Sequence, residues 1–122
     1  MANPSATPAS SAGSEILRRS HVVGLTTTPV KLIDGASTDY TYIVLTVTFC
    51  ENAGADELIN MKIDTEASGS DVFLLDAQAL LAKETFIWND KLMLWGTDEL
   101  VVYTGSAADV DVYCTYIEQR WA

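Results

Sequence analysis

The chain has 122 residues, 48% of them apolar, and 17 acidic residues against 7 basic ones give it a net charge of −10. That length suits one domain with its own core, while the acidic balance repels nucleic-acid phosphates and anionic lipid surfaces, so neither is an expected partner. No run approaches the roughly 18 consecutive apolar residues of a membrane span, and the first residues lack the charged start and apolar run of a secretory signal, so assembly in a cytoplasm is expected.

The opening stretch MANPSATPASSAGS is uncharged and rich in Pro, Ser and Ala, and it is followed by EILRRS. Such a segment holds too little apolar surface to order itself by burial and takes up a fixed path only against a partner. Residues 1–20 are therefore expected to form an extended N-terminal arm, and residues 21–122 the folded domain. Within the arm, Ile16 and Leu17 offer apolar contact, and Arg18 and Arg19 offer guanidinium groups that pair with carboxylates on another chain.

From His21 onward short runs alternate apolar and polar residues with a period of two. Strands are predicted at 21–25, 30–33, 41–50, 57–64, 71–76, 84–88, 91–95, 99–104 and 109–118, separated by turn chemistry such as DGAST, ENAGAD, TEASGS and WGTD. Spacings of about 8–12 residues between turns point to an all-β domain, an antiparallel two-sheet β-sandwich of jelly-roll-like form. Only LDAQALLAKE, residues 75–84, has helical composition. Lying between two strand candidates, it is expected as a loop or single turn.

Alternation gives the expected core as Ile43, Leu45, Val47 and Phe49, then Ile59, Met61 and Ile63, then Val110 and Val112. It also turns Cys114 inward and Cys50 outward, which argues against a disulfide between the two and leaves open a bond from Cys50 to another chain. Trp121 has no later strand to cover it and is expected to anchor the C-terminal end to a neighbour.

Few residues suggest chemistry. His21, the single histidine, reads as a packing or interface residue rather than a catalytic base. The loop DTEASGSD places Asp64, Glu66, Ser68 and Gly69 as in a calcium loop, but Leu75 stands where the bidentate Glu belongs. Asp109 and Asp111 share an outward, hydrated strand face. No catalytic, cofactor-binding or metal-ligating residues are assigned, and no enzymatic activity is expected. Trp88 and Trp95, if exposed, would offer a sugar-stacking face, which gives a carbohydrate-binding module as the reading of another class.

The run AKETFIWNDKLMLWGTDELVVYTGSAADVDVYCTYIE resembles a class of small tailed-bacteriophage virion proteins. The matching pieces are Ala82, Thr85, NDKLML (89–94), TDELVV (97–102), SAADVDVY (106–113) and TYIE (115–118), with HVVGLTTTPVKLIDGAS and TVTFCENAGADELINMKID upstream. The Gly-Asp-x-Leu turn of that class carries one extra residue here, between Gly96 and Asp98. The resemblance implies a virion structural protein, a capsid decoration or cement protein or else a neck, tail or fibre-associated part, located in the virion. It implies self-association, a trimer suiting shell three-fold positions, and contact with the major capsid protein or with neck and tail proteins. Ile16, Leu17, Arg18, Arg19 and Trp121 are the expected partner-binding residues, and a chain lacking residues 1–19 is expected to fold but not to join particles.

Overall fold

The computed structural model describes residues 13–106 and 109–121. Among the described residues nine strands form: β1 (Glu15–Leu25), β2 (Val30–Asp34), β3 (Tyr40–Glu51), β4 (Glu57–Thr65), β5 (Ser70–Leu80), β6 (Thr85–Trp88), β7 (Leu92–Trp95), β8 (Glu99–Thr104) and β9 (Val110–Arg120). All pairings are antiparallel. The first sheet has the order β1-β9-β3, with β6 and β7 lying end to end along the free side of β3, and the second has the order β2-β8-β4-β5. Chain-consecutive strands mostly alternate between the two sheets, as they do when one long hairpin wraps into a jelly roll. The domain is an all-β, two-sheet antiparallel sandwich.

Between the sheets lies one apolar core. Phe49, Leu25, Ile59, Met61, Leu80, Leu94 and Leu100 are fully buried in it. Phe49 meets Phe86 edge-on at 6.4 Å between ring centroids, and Tyr42 meets Tyr116 at 6.1 Å. Burying one such side chain contributes about 1.5–3 kcal/mol.

Three departures from simple alternation have local causes. In β3 the register against β9 shifts between Val44 and Thr46, a bulge at Leu45. A bulge reverses the facing of everything beyond it. Val47 and Phe49 face inward as expected, but before the bulge the inward residues are Tyr42 and Val44, so Ile43 and Leu45 are not core residues. Residues 75–80, expected as loop or turn, continue β5 as strand; the backbone at Ala77 is left-handed, with φ 54°, and its N–H donates to Asn60 Oδ1 at 2.9 Å. A side chain from the neighbouring strand thus supports an irregularity that residue preference could not reveal.

The third departure concerns the N-terminal side. β1 begins at Glu15, pairing from Glu15↔Gln119 to Leu25↔Val110, so residues 15–20 lie in the sheet rather than in an arm. Gly13 N–H donates to the Arg120 carbonyl at 2.7 Å, and Arg120 N–H donates to Ser14 O at 3.0 Å, extending the ladder to the first described residues. Ile16 is 4% exposed and gives the strand its own apolar anchor. Residues 1–12, the rest of the expected arm, lie outside the described residues.

Candidate functional site

The two outer faces of the sandwich differ in chemistry. On the second sheet, Lys31, Val101, Lys62 and Phe73 form one cross-strand row. Lys31 pairs with Glu99 at 2.7 Å and Lys62 with Asp71 at 2.8 Å, and both lysines have their pKa raised, chiefly by those hydrogen bonds. Their stems flank Val101, which is only 6% exposed although it faces outward. This face carries self-paired charges around Val101, with Phe73 on β5 and Leu58 on β4 exposed beside them.

The first sheet presents the opposite character. Leu17, Ile117, Ile43 and Met93 are register partners in one row across all four ranks of strands. Four residues further along β1, His21, Tyr113, Thr48 and Ile87 form a second such row. Leu17 is 47% exposed, Met93 58% and Ile87 57%. Arg19, Thr115 and Thr46 lie between the rows. At one end Thr41 is opposite Trp95 and accepts the indole N–H of Trp121, while at the other Asp111 accepts from Gly24 N–H at 3.1 Å and from the Asn52 amide. The bulge at Leu45 places Ile43 in this outer row, and no single-strand pattern shows that.

The expected partner-binding residues therefore separate. Leu17 and Arg19 point to the outer face. Ile16 and Arg18 point to the inner side, where Ile16 is buried and Arg18 Nε lies 3.3 Å from Glu118 Oε1 of its own chain. Trp121 is tied back by its backbone N–H to Asp39 O at 2.7 Å, while the residue remains 63% exposed beside the Trp95 end of the face.

The remaining candidates are used internally. Cys50 lies half-buried on the outer face opposite Thr85 and Asp111, and Cys114 is fully buried. Burial pushes the Cys114 thiol up to about 12, which leaves it an inert, hydrophobe-like group. Asp64 Oδ1 accepts the N–H of Gly69 at 2.7 Å, and Asp98 Oδ1 accepts that of Glu66 at 2.9 Å, so the carboxylates around the TEASGS loop close a turn. Among the described residues no group of three or more His, Cys, Asp or Glu is arranged to hold a metal ion. Trp88 packs against the core and donates its indole N–H to Asp90 O at 2.9 Å, which leaves Trp95 as the exposed member of the two.

Sequence reasoning did not single out Glu51. Its 1%-exposed carboxylate accepts the backbone N–H groups of Ala53, Gly54, Ala55 and Lys83 at 2.7–3.2 Å. Burial alone would raise its pKa, but the four donors outweigh it and hold the carboxyl below the usual glutamate range. The loops after β3 and β5 are joined through this one side chain.

No known protein family matches the chain, and no curated protein does. Solved structures do match. A chain from the acidic stable capsid structure of Helicobacter pylori bacteriophage KHP30 superposes with a TM-score of 0.54 at 10% identity, over 88% of this chain and 89% of that one. What they share is the fold. A subunit from Bacillus endospore appendages, described as a novel family of disulfide-linked pili, superposes with a TM-score of 0.50 at 12% identity, over 99% of this chain and all of that one (100%). Both likenesses span nearly the whole sandwich, and what they show is a shared architecture.

Proposed function

We propose that the protein is a structural subunit of a bacteriophage virion that decorates or cements the capsid shell. It self-associates, contacts the major capsid protein, and uses residues 1–12 as a strap over neighbouring subunits. The observation that supports this reading most is the near-complete correspondence of the jelly roll to a phage capsid chain. The division between a charged, self-paired face and an uncovered apolar one adds the chemistry of a building block. A neck or tail position is the variant of this reading that copy number separates: hundreds of copies per particle mark the shell, and about a dozen mark the neck or tail.

The truncation that tests the strap follows from where β1 starts. Removing residues 1–19 would strip Ile16 and half of the β1–β9 ladder, whereas removing residues 1–12 leaves every described strand intact. The shorter deletion is expected to give a folded chain that no longer joins particles. Incorporation at the full-length level would refute the strap.

The likeness to the pilus subunit favours a second reading, an appendage subunit. A polymer of disulfide-linked chains needs at least two bonding sulfurs per subunit, and here one of the two cysteines, Cys114, is enclosed in the core. Cys50 by itself links chains only in pairs, so non-reducing electrophoresis showing a ladder beyond the two-chain species would favour the appendage over the virion.

A further inference from the structure

The outer face of the first sheet carries Leu17, Ile87, Met93, Trp95 and Tyr113 exposed in register across its strands, whereas the exposed Phe73 of the second sheet stands among paired charges. It is four ranks of strands wide and extends along β3 from Thr41 to Cys50. At about 4.8 Å per strand and 3.3 Å per residue that is a projected footprint of about 600 Å². A standard stable interface covers about 800 Å² per partner, so this face accounts for most of one.

We propose that a second copy of this chain packs on that face, sheet against sheet, about a two-fold axis. The proposal rests on the subunit reading for its choice of a like partner, and charge decides the surface. Two chains of net charge −10 repel one another wherever carboxylates meet. The strand positions of this face carry charge at Glu15 and Asp111, at opposite ends, and at Arg19 on the edge strand, where a long side chain reaches the rim. The rows between consist of Leu17, Ile117, Ile43, Met93 and Ile87, threonines, Tyr113 and the single histidine, His21. An apolar sheet face is buried effectively by another sheet about 10 Å away, aligned within about 30°, and a two-fold axis sets the same rows of this face against each other. The result is a four-layered pair with both charged sheets outermost.

Sedimentation of the full-length chain tests this without any particle, so its outcome is independent of whether the chain joins a virion. The wild-type chain is expected to sediment as a two-chain species at micromolar concentration. Met93→Arg and Ile87→Arg each place a charge at an exposed position of the face and are expected to weaken the pair by about a hundredfold or more, with unchanged circular dichroism and thermal melts. Phe73→Arg, on the charged sheet, is expected to leave it unchanged. A wild-type monomer or trimer, a pair that survives both face substitutions, or a pair lost on deletion of residues 1–12 would each overturn the proposal, the last by assigning the contact to the N-terminal segment.

Discussion

Gly35 lies where the turn after β2 crosses the turn between β7 and β8. A Cβ at this position would lie 2.2 Å from the Gly96 carbonyl oxygen and 2.6 Å from that of Asp98, whereas ordinary contact begins at 3.4 Å. Both obstacles are backbone, and Gly96 is itself held by donating its N–H to Tyr40 O at 2.8 Å. Gly35→Ala must therefore open the crossing by more than an ångström and break the 3.0 Å bond from Gly35 N–H to Asp98 O. Overpacking costs about 1–3 kcal/mol and the lost hydrogen bond about 1 kcal/mol, giving about 2–4 kcal/mol of destabilisation. With a urea slope of about 1.5 kcal/mol per molar, the midpoint should fall by about 1–3 M. Gly69→Ala is the reference: its φ of +82° strains any side chain, but nothing lies within 4 Å of the new methyl. That strain alone costs about 1 kcal/mol. Equilibrium urea unfolding of the two variants separates steric from conformational cost, and a Gly35→Ala chain no less stable than Gly69→Ala would refute the reasoning. Because the same crossing orients Trp95 and the chain leading to Thr41, Gly35→Ala should also shift the tryptophan fluorescence of the native state.

Two further outcomes follow from the buried ionisable groups. Glu51 has its folded pKa depressed, so its contribution to stability is complete above the unfolded value of about 4.3 and is lost as pH falls through the folded one. Glu51→Gln should lower the urea midpoint at neutral pH and flatten its decline between about pH 5 and pH 3; an unchanged acid profile would show that the carboxylate does not join the two loops. A thiol reagent at pH 8 should modify Cys50 in the native chain and reach Cys114 only after unfolding, given full burial and a thiol pushed up to about 12. Equal rates at both sulfurs would contradict the core placement.

Strand content was legible in the sequence because alternation is a local property. Each apolar run between turn residues became a strand, Glu99–Thr104 with its expected ends, though β1 starts six residues earlier than expected and β5 runs four residues further, and Cys114 pointed inward as its run required. The split of the partner-binding set was not legible. Ile16, Leu17, Arg18 and Arg19 read as one adhesive segment, but pairing with β9 sends alternate side chains to opposite faces, burying Ile16 and directing Arg18 to Glu118. Glu51 was missed because its partners are backbone N–H groups, one of them 32 residues away at Lys83, and backbone donors leave no mark in residue type.

The sequence by itself determined that this chain is an acidic all-β sandwich, since period-two burial and turn chemistry act over a few residues. Only the tertiary structure decided which side of β3 is core. One extra residue at Leu45 reverses the facing of Ile43, and only pairing with β9 reveals it. That reversal places Ile43 in line with Leu17, Ile117 and Met93 and completes an apolar outer face, a surface assembled from strands far apart in the chain.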